Sequence, residues 1–243
     1  VPTSPTEVLA VGALFPMGAF SYTVHSEFAS AVNWRVEGQP FLVSLVTKPG
    51  ALHPRSALVT RLPGDGRHWD DPGPVARHDG TMPFLPLGSA LVQRRIGLVE
   101  AHLRVLKARK GLGEDAFSLR LDQGALLLQR SFAQGAAALV GFGPGLTPAG
   151  DDYLTGFVAA RWSQGSGMAC KADLLPLLSR TNAVSAAFLA SAAEGLFSDS
   201  LVNLALSLGR GGTAWKTALS VLGDQGHSSG LDAASGFVHG LRS

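Results

Sequence analysis

The spacing of apolar residues changes character at Ser89, and this change limits the chain to a fold with two kinds of layer. Before it, Val8 to Phe15, Ser21 to Ala29, Phe41 to Thr47 and Ala57 to Leu62 are short apolar and β-branched pieces broken by Pro and Gly, a strand pattern. After it, Leu91, Ile96, Leu98, Val99, Leu103 and Leu106 recur at near-helical spacing until Gly111 and Gly113 stop the run. Helical segments are then predicted at Ala125 to Val140, Asp151 to Trp162, Leu174 to Leu178, Val184 to Leu196, Leu201 to Leu208, Ala214 to Leu222 and Leu231 to Leu241. Strands followed by helices, without βαβ alternation, predict an α+β fold. Its expected parts are a β-rich region over residues 1–88 and a helical region over 89–243. The Pro-rich stretch Pro63 to Pro86 joins them as a loop or a meander.

Composition narrows the function. An apolar share of 46% supplies a core, and a charged share of only 16% with 30 glycines points to close-packed small-residue helices and to surface hidden in a complex. The net charge of +2 and the lack of a basic run interleaved with aromatics argue against a nucleic-acid partner. The densest basic stretch, Arg94 to Lys110, reads as a solvated helix face. One cysteine, Cys170, rules out an internal disulfide framework and suits the reducing cytoplasm. No basic leader precedes an apolar stretch, and no apolar run approaches the ~18–20 residues a bilayer requires, so a cytoplasmic chain without a membrane partner is expected.

The chemistry concentrates in Gly141 to Asp152, GFGPGLTPAGDD. Glycines permit close backbone approach, and Pro144 and Pro148 stiffen the loop. Thr147 as N-cap and Pro148 in the first turn would start a helix whose unpaired N–H groups face the glycines, an arrangement that attracts a phosphate or carboxylate. Gly143, Gly145, Leu146 and Thr147 are the expected small-anion binders. The spacing matches neither a Walker loop nor GxGxxG. Asp151 and Asp152 sit about 100° apart on the helix, and either is the direct ligand. Acid beside anion requires a bridging divalent ion such as Mg²⁺ on Asp151 and Asp152, or a ligand that also presents N–H donors. Plain capping, worth ~1 kcal/mol, explains the same residues without a ligand.

A second cluster, Gly226-His227-Ser228-Ser229-Gly230, precedes the last helix. Ser229 and Asp232 have capping-box spacing, while His227 offers an acid, base or ligand and Ser228 and Ser229 offer hydroxyls. Arg180, ahead of Thr181 and Asn182, is placed to reach a carboxylate or phosphate. His25-Ser26 and His53-Pro54-Arg55 are the polar clusters of the N-terminal part. Serine-hydrolase and zinc-protease signatures are absent.

Taken together, these pieces resemble the AllH-type subunit of oxamate carbamoyltransferase. The resemblance rests on Val24-His25-Ser26 with Phe28 and Ala31-Val32-Asn33-Trp34, and on GPGLTPAGDD from Gly143 to Asp152 with Gly156. It extends to Arg180-Thr181-Asn182 with Ser185, Ala193-Glu194-Gly195, and GHSSGLDAASG from Gly226 to Gly236. It implies a role in recovering purine-ring nitrogen, with oxalurate and phosphate converted to oxamate and carbamoyl phosphate by an assembly of several different subunits. No residue roles are carried over from the family. Asp151, Asp152 and His227 as catalytic groups, with Gly143, Gly145, Leu146, Thr147, Arg180, Ser228 and Ser229 as binding groups, are read from this sequence alone. A non-catalytic partner subunit and a Mg²⁺-dependent phosphohydrolase are the competing readings.

Overall fold

A computed structural model describes residues 6–64, 67–112, 116–210 and 212–243. Gly113, one of the two expected helix stops, lies outside the described residues. The chain divides into two compact units, Val1–Gly80 and Thr81–Ser243. Strands fill the first and helices the second, which makes the fold α+β.

Among the described residues, the first unit is a seven-stranded sheet: β1 (Val8–Gly12), β2 (Phe20–Phe28), β3 (Ala31–Val36), β4 (Val43–Val46), β5 (Ser56–Val59), β6 (His68–Trp69) and β7 (Ala76–His78), in the order β6-β2-β3-β4-β5-β1-β7. The β4–β5 and β1–β7 pairs are parallel and the others antiparallel. The Pro-rich stretch thus carries two short strands. The sequence pattern missed β3, because Asn33 and Arg35 dilute its apolar signal. Both have good reason to be in a strand: Arg35 points outward, and buried Asn33 donates to Ser26 Oγ (2.9 Å) and accepts from Ser44 Oγ (2.6 Å) across its two neighbours. The core is aromatic, with Tyr22 stacked on fully buried Trp34 at 3.7 Å and Phe15 and Trp69 beside them.

The second unit comprises α1 (Ala90–Arg109), α2 (Ala116–Arg130), α3 (Phe132–Leu139), α4 (Ala149–Ser163), α5 (Met168–Leu174), a 3-10 helix (Leu175–Arg180), α6 (Ala183–Ala193), α7 (Asp199–Gly209), α8 (Ala214–Gly223) and α9 (Ser229–Arg242). The segment expected as one helix over 125–140 is two, because Ser131 is extended and its hydroxyl accepts the Gln134 N–H to start α3. The central contact is α4 on α9. A β-carbon at Gly156 would lie 1.8 Å from Ala233 O, and one at Gly236 would lie 1.9 Å from Tyr153 O, so only glycine lets these backbones come so close. Phe157, Leu154, Ala234 and Phe237 are fully buried around this seam. Among the described residues, no helix is long and apolar enough to cross a membrane.

Candidate functional site

The glycine-rich loop runs from the end of α3 to the start of α4, and its shape is set by what fastens it. Gly141 has φ +72°, and a β-carbon there would press on Arg180 O at 2.5 Å. Its N–H donates to Asp151 Oδ1 at 2.7 Å, and the Thr181 hydroxyl donates to Asp151 Oδ2. Asn182 caps α6 by accepting the N–H groups of Val184 and Ser185 (3.0 and 3.1 Å), which sets buried Ser185 to donate to Leu146 O at 3.4 Å. Asp151 and the Thr181–Ser185 segment therefore clamp both ends of the loop.

Between the clamps, the N–H groups of Gly143, Gly145, Leu146 and Thr147 donate to no group among the described residues. Gly145, at φ +94°, has open space where a side chain would stand, and Gly145 and Leu146 are exposed. Unengaged amides in a stiff loop are what an oxyanion requires.

The helix start itself differs from the expectation. Pro148, not Thr147, is the N-cap residue, and no side chain caps α4. The Gly150 N–H goes to Phe142 O at 2.9 Å, and those of Asp151 and Asp152 turn back to Pro148 O, so the first turn is largely satisfied internally. The Thr147 hydroxyl instead meets Ser229 Oγ at 2.8 Å, joining the loop to α9. The capping box over Ser229 and Asp232 is likewise displaced: Ser228 is the N-cap residue, and Asp232 pairs with Lys107 Nζ at 3.2 Å.

The two adjacent aspartates have separate environments. Asp151 has both oxygens committed to protein donors; burial raises its carboxyl above the ordinary value, with the hydrogen bonds from Thr181, Gly141 and Ser185 pulling the other way. Asp152 bonds to Ser229 and Thr147, but its Oδ2 is shut off from solvent without a hydrogen-bond partner. Burial holds the Asp152 carboxyl well above the usual carboxylate range, and the charges of Asp232 and Asp151 push it further the same way. Asp232 is also raised by burial and partly restrained by Lys107. Among the described residues, no three His, Cys, Asp or Glu side chains stand together to hold a metal ion. With Asp151 committed and Asp232 paired, these carboxylates do not present a shared set of oxygens to Mg²⁺.

Of the other residues singled out, Ser228 hydrogen-bonds Asp232, and His227 is exposed with its carbonyl accepting from Lys110 Nζ at 2.9 Å. The Arg180 side chain is exposed and has no partner among the described residues. In the first unit, His25 is exposed, whereas His53 and Arg55 are buried; burial, with Arg55 and His78 nearby, depresses His53 to about 3. Sequence reasoning missed Lys107, hidden in a basic run read as a solvated face, and the clamp of Thr181 and Ser185. The spacing of Thr181 and Ser185 around a cap was the available signal. On a neighbouring face of α4, Tyr153 and Gln129 bond the two ring nitrogens of His239 at 2.8 and 2.9 Å. They line an open pocket of about 410 Å³ that Lys107 also borders.

Residues 139–241 match the sequence model of the family described as oxamate carbamoyltransferase subunit AllH. Over these residues the chain is AllH-like. The AllH-like stretch contains the loop, both aspartates, the Thr181–Ser185 clamp and the Ser228–Asp232 segment. Lys107 and the Val24–Trp34 pieces of the resemblance lie outside it. No solved structure matches the chain.

Proposed function

We propose that this chain is a subunit of an oxamate carbamoyltransferase-type enzyme and supplies the site that holds the phosphate. The observation carrying this reading is a row of unengaged amides, Gly143, Gly145, Leu146 and Thr147, in the same loop as the hydroxyl that contacts the buried Asp152 carboxyl. The family description names an oxamate carbamoyltransferase subunit, and the other subunits of such an assembly are the proposed partners.

In this direction of the reaction, a phosphate oxygen attacks the ureido carbonyl carbon of oxalurate. The bond from that carbon to the shared nitrogen breaks, giving carbamoyl phosphate and oxamate, and the phosphate proton ends on the oxamate nitrogen. Aligning the reactants and stabilising charge on oxygen are the main demands. The loop amides hold the phosphate oxygens. Burial favours the neutral form of the Asp152 carboxyl, which lessens the conflict between acid and anion without a bridging ion. Asp151 positions the loop, and Ser229 and Thr147 orient Asp152. A cytoplasmic location accords with this chemistry and with the lone cysteine.

Replacing Asp152 with Asn in the assembled complex tests the reading. The fold is expected to survive, and formation of oxamate and carbamoyl phosphate to fall at least a hundredfold, about 2.7 kcal/mol of transition-state stabilisation. Unchanged turnover would exclude Asp152 from the site.

A further inference from the structure

We propose that the outward face of α1 is the docking surface for an amphipathic helix with acidic flanks carried by a different chain. Helix α1 has two apolar stripes. One, with Val92, Ile96, Val99 and Leu103, is buried in the core of the helical unit. The other consists of Leu91, Leu98 and Val105, which remain 49%, 44% and 46% exposed. Core formation explains the first stripe and leaves the second without a role.

The second stripe has a seam's spacing. Its members are seven residues apart, Arg94 and Ala101 fall between them and Ala108 follows, so the whole row alternates steps of three and four. That is the a/d repeat by which one helix receives another. The row from Leu91 to Val105 is about 21 Å long, four turns of helix, and the alanines leave room for a partner's larger side chains.

Charge selects the occupant. Arg94 and Arg109 are exposed on this face without an ion pair among the described residues, and exposed Arg104 stands at its margin, bonded to Glu100. A second copy would set these arginines against one another, since Arg94 and Arg109 lie at opposite ends of the row and meet like charge in either orientation. An anionic lipid surface would ask for a broader apolar face with aromatic anchors, and this row is narrow and holds none. An acidic helix satisfies both the spacing and the charge.

The test uses the full chain and two synthetic three-heptad peptides with leucine at the seam positions, one with glutamate flanks and one with lysine flanks. By fluorescence anisotropy, the glutamate peptide is expected to bind and the lysine peptide to fail. Leu98→Asp should weaken binding at least tenfold with the circular dichroism spectrum unchanged, and Arg94→Glu with Arg109→Glu should reverse the preference. Equal binding of both peptides, or binding of neither, would overturn the proposal. So would a concentration-dependent dimer of the chain that Leu98→Asp abolishes, or binding to phosphatidylserine vesicles in place of the acidic peptide.

Discussion

At the scale of single residues, the two aspartates of the Gly-Asp-Asp run do opposite things although they are adjacent. Asp151 faces inward and is spent on the Gly141 amide and the Thr181 hydroxyl. Asp151→Ala would orphan both donors, so unfolding by denaturant should show a loss of roughly 2–3 kcal/mol. Asp152 carries the cost of burial instead. Its folded-state value lies above the ordinary 3.8, so the native state holds a proton that the unfolded chain releases. The stability from that proton is full below 3.8 and is lost as pH rises through the raised folded value. Asp152→Asn has nothing to ionise, so its melting temperature should exceed that of the parent by a margin that grows from pH 4 upward and then levels off. A margin independent of pH would mean that Asp152 is ionised in the fold as it is in water. Adjacency and a rotation of about 100° were legible, but not which carboxylate meets Thr181, because that partner comes from the distant segment between the 3-10 helix and α6.

At the scale of elements, the glycines of the motif matter chiefly as backbone contacts. The Gly156–Gly236 seam brings α4 and α9 together, and Gly150 and Gly230 would put β-carbons 2.1 Å from Leu139 O and 1.6 Å from Leu222 O. Gly156→Ala has no space and should cost about 3 kcal/mol or prevent folding of the unit. Gly97, in the middle of α1, is the useful contrast, because its β-carbon would meet only Arg242 Nη2 at an ordinary 3.6 Å. Gly97→Ala should stabilise by about 0.8–1 kcal/mol through helix propensity, measured by the same unfolding titration. Helix spacing was legible in α1, where apolar residues recur at helical intervals along 20 residues. It failed over 125–140, where apolar residues continue on both sides of the break and only the Ser131 cap marks it.

At the scale of the whole molecule, the order of strands before helices was plain in the sequence because each unit draws on consecutive residues. The site was only half legible. Its loop is local and announces itself through Gly and Pro. Its walls come from α1, the start of α6 and α9, and Lys107, Thr181, Ser185 and Ser229 are brought together by packing that no local pattern encodes. A phosphate received by the loop amides would occupy groups the protein leaves unused. Hydrogen exchange at Gly143 to Thr147, with and without inorganic phosphate or carbamoyl phosphate, tests this on the chain and on its assembled complex. These amides are expected to exchange at least tenfold more slowly with either ligand, while the Gly141 amide, already bonded to Asp151, changes little. Exchange at 143–147 that is indifferent to both ligands, in the chain and in the complex alike, would contradict it.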